Sequence, residues 1–365
     1  MTIPANLHTH TSFCDGENTA EEMIEQALAL QFITLGFSSH ADPPQGVPMD
    51  IPSYLNHIRS LQWEYRGKLD ILCGVELDNI MDPRFVAEGL SGSSTVPASG
   101  MGVEYRIGST HNIPPAGHAA WDHPLMMQDA RELCAAYMTG ATCSSGSAAS
   151  SSVKKTTGNT VSPDPEPDCG FLCVDHTVQA MHARCKEWYD GDFYALAEDY
   201  FRFESTVVPR TRPAFIGHFD LVVRFNDLPS AECGAFLDER DPRYLRAAGS
   251  AAEQIVRDGL CYFEVNCGAI NRGRKKEPYP SSGLLRILKE LDVELLVTSD
   301  AHHRDKLASG FEDALSQIRS AGFDHINVLT RHETDTPAVN TVQDTRFTNG
   351  RENVPLFWQR IPLTS

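Results

Sequence analysis

Short apolar runs alternate with helical segments along most of this chain, and most of the apolar runs end at a histidine or a carboxylate. This alternation predicts parallel strands joined by helical crossovers. About seven or eight such units favour an α/β barrel that is closed or nearly closed, with a doubly wound sheet as the alternative. Reactive groups lie at the carboxyl ends of barrel strands, so we expect the strand-end residues to share one site. They are His8, His40, Glu76, His111, His218 and Asp300.

Local signals place the individual elements. Thr19 and Glu22 form a capping box that predicts a helix start. Further helices are predicted near residues 54–65, 193–203 and 284–291. Strands are predicted at residues 3–8, 33–39, 70–75, 105–110, 214–217, 262–266 and 294–299. A last apolar run at residues 326–329 is expected to close the sheet.

Residues 139–168 interrupt this pattern with a stretch rich in Ser, Gly and Pro. Such a composition buries too little apolar surface to offset the entropy of ordering, so we expect a disordered insertion. Ligand-type residues continue after it, which favours one barrel domain over residues 1–333. Residues 334–365 are polar and poorly periodic, and we interpret them as a C-terminal extension.

The chain is acidic, with a formal net charge of −18. This charge argues against nucleic acid as a partner, because phosphate backbones usually require a basic surface. No apolar run reaches the roughly 18 residues of a membrane span, and no secretory signal is evident, so we expect a cytoplasmic protein without a membrane partner. The 10 cysteines are therefore expected to be reduced, and Cys169 with Cys173 lacks a second pair for structural zinc.

His8 and His10 stand two positions apart, so both imidazoles face the same side of a strand. Together with the carboxylates they suit zinc, manganese or iron. Adding Asp15 and His302 brings the candidate ligands to nine, too many for one ion but enough for two or three if a carboxylate bridges. Clustered ions of this kind support phosphoryl displacement by an activated water.

Seven ordered motifs give the chain a family resemblance. The motifs are His-Thr-His-Thr-x-x-Cys-Asp-Gly at 8–16, Ser-Ser-His-Ala-Asp at 38–42, Gly-Val-Glu-Leu-Asp at 74–78, Gly-Ser-Thr-His at 108–111, Gly-His-Phe-Asp-Leu at 217–221, Glu-Pro-Tyr-Pro-Ser at 277–281 and Ser-Asp-Ala-His at 299–302. With them the chain resembles the polymerase and histidinol phosphatase (PHP) family, in the histidinol-phosphate phosphatase branch.

The resemblance implies a distorted (β/α)7 TIM-like barrel with three divalent ions (zinc, manganese or iron). By the same resemblance, the first ion is held by His8, His10, Glu76 and Asp300. Glu76 bridges to the second ion, which also takes His111 and His218, and the third takes Asp15, His40 and His302. The catalytic residues it implies are His40, Asp300 and His302, with proton donation to the leaving alkoxide expected on the His40 and His302 side.

The implied reaction is hydrolysis of L-histidinol phosphate, a small phosphorylated amino alcohol, in histidine biosynthesis. The family usually carries an arginine where this chain has Asn271, so Arg272 or Arg274 is expected to bind phosphate, Arg272 being favoured. Tyr279, within the Glu-Pro-Tyr-Pro-Ser motif, is the third predicted substrate contact.

Two other functions are compatible with parts of the sequence. Another PHP phosphoesterase, such as a nucleotide phosphodiesterase or exonuclease, would share the ligand set. The acidic charge and the segment at 277–281 count against it. A non-catalytic metal-binding barrel would have no need for all nine ligands, which disfavours that alternative.

Overall fold

The computed structural model describes residues 3–41, 49–80, 103–114, 172–227, 236–331, 342–344 and 356–363. The predicted disordered insertion at 139–168 and most of the predicted extension lie outside the described residues, so the proposed domain division stays a prediction. Among the described helices, none has the length and apolar character that crossing a bilayer would require.

Seven parallel strands form the central sheet. In their order across the sheet they are Ala5–Asn6 (β1), Thr34–Phe37 (β2), Asp70–Asp78 (β3), Tyr105–Ser109 (β4), Phe215–Ile216 (β7), Tyr262–Asn266 (β8) and Glu294–Thr298 (β9). A parallel bridge between Thr9 and Ala301 joins the first strand to the last just beyond their ends. The sheet is thus a nearly closed barrel, which confirms the predicted (β/α)7 fold.

Two short strands lie outside the barrel, beside the end of β4. Asn112–Ile113 (β5) pairs antiparallel with Leu172–Cys173 (β6). The N–H of Val174 also donates to the carbonyl of His111, at 2.8 Å. The chain that returns after the insertion is therefore fixed next to His111.

The helices pack around the barrel. They are Ala20–Ala29 (α1), Ile51–Glu64 (α2), Val178–Tyr189 (α3), Phe193–Glu204 (α4), Val207–Thr211 (α5), Pro242–Arg257 (α6), Gly268–Asn271 (α7), Ser282–Glu290 (α8) and Phe311–Ser320 (α9). Helix α1 begins with the predicted capping box: the Thr19 hydroxyl accepts from the Glu22 N–H, and the Glu22 carboxylate accepts from the Thr19 N–H. The two bonds satisfy amide groups that the first helical turn leaves free.

Inward-facing side chains fill the barrel interior below the site. The hydroxyl of Tyr105 donates to the carbonyl of Leu7 at 2.7 Å, across the barrel. Gly36 and Gly74 make room for this ring, because a Cβ at either position would lie 2.3 Å from a Tyr105 atom. The interior cluster comprises Leu7, Leu72, Tyr105, Ile107, Ala214, Phe215, Tyr262, Leu296, Leu329, Leu356 and Trp358.

The expectation that residues 326–329 close the sheet is wrong. They lie in His325–Thr330 (β10), which pairs antiparallel with Leu356–Pro362 (β12); β12 also pairs with Val342–Asp344 (β11). The barrel is already joined by the Thr9–Ala301 bridge, so it offers β10 no free edge. Leu329 and Trp358 instead belong to the interior cluster that lies below the site.

Candidate metal centre

All nine predicted ligands converge at the carboxyl ends of the barrel strands. Within the described residues, they alone form groups whose donor atoms lie within 4.8 Å of one another. The four groups overlap, as expected if ions share ligands. They are His8, His10 and Glu76; His8, His218 and Asp300; Glu76, His111 and His218; and His10, Asp15, His40 and His302.

Glu76 lies at the centre of this arrangement because β3 extends two residues beyond it into the site. Its two carboxylate oxygens face different histidines. Oε1 lies 3.0 Å from Nε2 of His218 and 3.4 Å from Nε2 of His111. Oε2 lies 3.2 Å from Nε2 of His8, 3.4 Å from Nε2 of His10 and 3.3 Å from Nδ1 of His40. A carboxylate placed in this way is suited to bridge two ions.

Asp300 occupies the turn after β9 in a left-handed backbone conformation, with φ of +49°. This conformation directs Oδ1 to within 3.2 Å of Nε2 of His10. Gly268 leaves space for the same carboxylate, since a Cβ there would lie 2.5 Å from Oδ2. Aspartate is among the few residues other than glycine that tolerate this backbone region.

Asp15 and His302 form the part of the centre nearest to solvent. Nε2 of His302 lies 2.9 Å from Oδ2 of Asp15, and the Asp15 side chain is 49% exposed. Oδ1 of Asp15 lies 3.5 Å from Nδ1 of His10 and 3.9 Å from Nε2 of His40. The remaining groups are buried, so this group borders the opening of the site.

The charges of the site favour a bound cation. Burial alone would raise the pKa of Glu76, but the nearby His8, His40 and His111 outweigh it and lower that pKa well below its usual range. Burial lowers the pKa of His8, yet Glu264, Glu76 and Asp300 raise it well above its usual value. The carboxylates that raise the pKa of His8 would also attract a divalent cation.

The donor set fits such ions. Nε2 of His8 and Nε2 of His10 are buried and make no hydrogen bond, although carboxylate oxygens lie close to both. Buried polar atoms without a hydrogen bond are costly, and coordination to a metal would satisfy them. Imidazole and carboxylate ligands are typical of zinc, manganese and iron sites. The cluster therefore supports divalent-metal binding.

Asp78 and Glu264 lie beside predicted ligands but are not among the predicted site residues. Asp78 Oδ2 lies 3.3 Å from Nδ1 of His111, and Glu264 Oε2 lies 2.9 Å from Nδ1 of His8. Asp78 stands two positions after Glu76, so the period-2 pattern of β3 was the available signal, whereas β8 holds no predicted ligand that could point to Glu264.

The predicted substrate residues differ in position. Arg272 reaches the metal centre, with Nη1 3.3 Å from Oδ2 of Asp300. Arg274 is exposed, and its guanidinium lies 5.9 Å from the ring centroid of Phe225. Tyr279 is buried with its ring 6.3 Å from that of His218, and its hydroxyl has no hydrogen-bond partner among the described atoms.

An ion pair outside the predicted set lies on the His111 side. Nη1 of Arg224 lies 2.9 Å from Oδ2 of Asp175. Asp175 directly follows Val174, whose N–H donates to the His111 carbonyl. Burial would raise the pKa of Asp175, but Arg224, His111 and His218 lower it below its usual value. Asp175 therefore adds a carboxylate at this side of the site. It follows a low-complexity stretch, and no motif marked it.

Comparison with known proteins gives a domain match and several relatives. Residues 6–158 match the model of the PHP domain. A "Probable histidinol-phosphatase" of Deinococcus radiodurans is 25% identical over 333 residues, which is 88% of this chain and 95% of the relative.

Two solved structures share the fold. One from Listeria monocytogenes has a TM-score of 0.59 at 16% identity, covering 84% of this chain and 98% of that one. The second, histidinol phosphate phosphatase from Lactococcus lactis, was solved with zinc, L-histidinol and phosphate. Its TM-score is 0.53 at 18% identity, covering 89% of this chain and 96% of that one. The chain thus combines a PHP domain match over residues 6–158 with the barrel fold of these structures and a cluster of metal-type ligands.

Proposed function

We propose that this protein is a metal-dependent phosphomonoesterase that hydrolyses L-histidinol phosphate to L-histidinol and phosphate, a late step of histidine biosynthesis. The observation that carries the proposal is the convergence of nine ligand-type side chains around Glu76, with Arg272 at their edge. The name of the Deinococcus radiodurans relative supports the choice of substrate.

We propose that the overlapping groups bind up to three divalent ions, of zinc, manganese or iron. The proposed sets are those of the family resemblance: the deepest ligands are His8, His10, Glu76 and Asp300, the next are His111 and His218 with Glu76, and the outermost are Asp15, His40 and His302. Such ions supply an activated water and neutralise charge on phosphate oxygens when bound.

The protein's own residues would orient the substrate. The Arg272 guanidinium is the donor best placed for a phosphate oxygen, because it already contacts Asp300 and His302. The buried Tyr279 hydroxyl, which has no partner among the described atoms, would donate to the substrate from the His218 side. The leaving alkoxide would receive its proton on the side of the site where His40 and His302 lie.

The polarity of the site supports an amino-alcohol phosphate. Arg272 lies on the Asp300 and His302 side, whereas the Asp175 carboxylate lies on the His111 side. A substrate ammonium would share Asp175 with Arg224, whose Nη1 lies 2.9 Å from Oδ2, while the phosphate would face Arg272.

The test is a comparison of three substrates with purified protein loaded with zinc, manganese or iron. We expect kcat/KM for L-histidinol phosphate to exceed that for a nucleoside monophosphate and for a phosphodiester. Asp175→Asn should reduce this preference, chiefly through KM, and leave hydrolysis of p-nitrophenyl phosphate, which has no ammonium, unchanged. Preference for the diester would favour the phosphodiesterase alternative, and no turnover with any metal would favour a binding protein.

A further inference from the structure

Glu264 lies fully buried beneath the metal centre and receives hydrogen bonds from four groups. Oε2 accepts from the Thr298 hydroxyl at 2.7 Å and faces Nδ1 of His8 at 2.9 Å. Oε1 accepts from the His218 N–H at 2.6 Å and from Nδ2 of Asn266 at 2.7 Å. One carboxylate thus ties the ends of β1, β7, β8 and β9 together.

We propose that Glu264 is a positioning residue that fixes the tautomer of His8 and thereby makes Nε2 a metal ligand. The inference rests on the proposed metal centre. A carboxylate oxygen accepts, so Nδ1 of His8 must donate to it. In a neutral imidazole the lone pair is then on Nε2, which lies 3.2 Å from Oε2 of Glu76 and 3.6 Å from Oδ1 of Asp300. Outer carboxylates commonly orient metal-binding histidines in this way.

Glutamine cannot replace Glu264 here, although it has the same shape. If its NH2 group faced His8 and Thr298, His8 would have to accept at Nδ1 and carry its proton on Nε2. That proton would block the ligand position. If the NH2 group were turned the other way, it would oppose the N–H of His218.

The same orientation would also oppose the NH2 group of Asn266, because Nδ2 of Asn266 donates to the same oxygen. Its Oδ1 accepts from the Gly268 N–H at 2.7 Å, so turning its amide would break that bond. Gly268 is the residue that makes room for Asp300, so the disturbance would reach a second predicted ligand. Either orientation of a glutamine at position 264 therefore harms the ligand set.

The experiment compares Glu264→Gln with Thr298→Val in the full chain. Thr298→Val removes a donor to the same Oε2 but keeps the carboxylate. Zinc affinity is measured by competition with a chromophoric chelator, and unfolding of the metal-free proteins is measured in urea. We expect Glu264→Gln to weaken the affected zinc site by about 10- to 100-fold, and Thr298→Val by less than about 3-fold. Wild-type affinity in Glu264→Gln, or equal weakening in both variants, would overturn the inference.

A second measurement does not depend on the folding of either variant. In the zinc-loaded wild-type protein, 15N chemical shifts of the His8 ring, assigned by comparison with His8→Gln, distinguish the two tautomers. A protonated Nδ1 and a zinc-bound Nε2 are expected, and the reverse would overturn the inference. Neither readout involves turnover, so a protein inactive on histidinol phosphate would refute the proposed function without affecting this result.

Discussion

Nη2 of Arg272 lies 2.7 Å from Nδ1 of His302, at the edge of the metal centre. The same guanidinium lies 3.3 Å from Oδ2 of Asp300, so one cation spans two predicted ligands. Burial would lower the pKa of Arg272, but Asp300, Asp175 and Asp15 raise it above its usual value. This part of the site therefore keeps a permanent positive charge towards an incoming anion.

Arg272→Ala should lower kcat/KM for histidinol phosphate by about 10- to 150-fold, corresponding to the 1.5–3 kcal/mol of a hydrogen bond to a charged group. Arg274→Ala is the matched control, because Arg274 is exposed and packs near Phe225. It should stay within about 2-fold of wild type. Equal losses in the two variants would show that Arg272 does not bind the phosphate.

Asp300→Asn should remove bound metal and lower kcat by more than about 100-fold. Even residues that only support the metal ligands contribute about 10- to 100-fold to metal affinity or activity. Asparagine tolerates the left-handed backbone at this position, so the fold should be retained. Asp300→Ala should cost a further 1–2 kcal/mol or so of stability, because alanine disfavours that conformation. Metal content by mass spectrometry and urea unfolding separate the two effects. Full metal content in Asp300→Asn would contradict its assignment as a ligand.

Glu204 should make stability depend on pH. Burial raises its pKa to about 8, although the hydroxyl of Thr110 donates to it and lowers the pKa in part. The folded protein thus holds a proton that the unfolded chain releases near pH 4.5, its ordinary value. The free energy of unfolding should fall by up to about 1.4 kcal/mol per pH unit as pH rises from about 4.5 to about 8.

Glu204→Gln should abolish this slope, whereas the exposed Glu312→Gln should keep it. Urea unfolding of metal-depleted protein between pH 5 and 8.5 is the measurement, because a cation near His111 would favour the ionised form. An unchanged slope in Glu204→Gln would mean that other groups cause the pH dependence.

Trp358→Ala should lower the free energy of unfolding by about 3–5 kcal/mol, the usual cost of removing a large buried ring. Trp358 is 1% exposed and stacks on Tyr262 with ring centroids 4.0 Å apart. Trp63→Ala is the control: that ring is 70% exposed and contacts Arg66, so its loss should cost at most about 1 kcal/mol. Similar effects of the two substitutions would argue against β12 as part of the barrel core.

Sequence reasoning predicted the barrel and its ligand-bearing edge because both follow from short-range patterns. Strand β8 has the predicted bounds, Tyr262–Asn266, and the capping box at Thr19 is present. Parallel strands bring their carboxyl ends to one side, so His40 and His218 could be placed together without knowledge of the packing.

Contacts between distant segments could not be predicted in this way. His8 and Glu264 are 256 residues apart, and nothing near either residue indicates which partner the barrel gives it. The apolar run in β10 has the pattern of a barrel strand, but its place was decided by the Thr9–Ala301 bridge and by pairing with β12. Asp175 likewise reaches the site only through the pairing of β5 with β6.

The Thr9–Ala301 bridge has a consequence for how the protein matures. Asp15 and His302 are 287 residues apart, yet they face each other because this bridge holds the two chain segments together. During translation, the N-terminal ligands leave the ribosome long before Asp300 and His302 are made. The complete ligand set therefore forms only after most of the polypeptide has been synthesised, so a truncated or stalled chain would lack a finished centre.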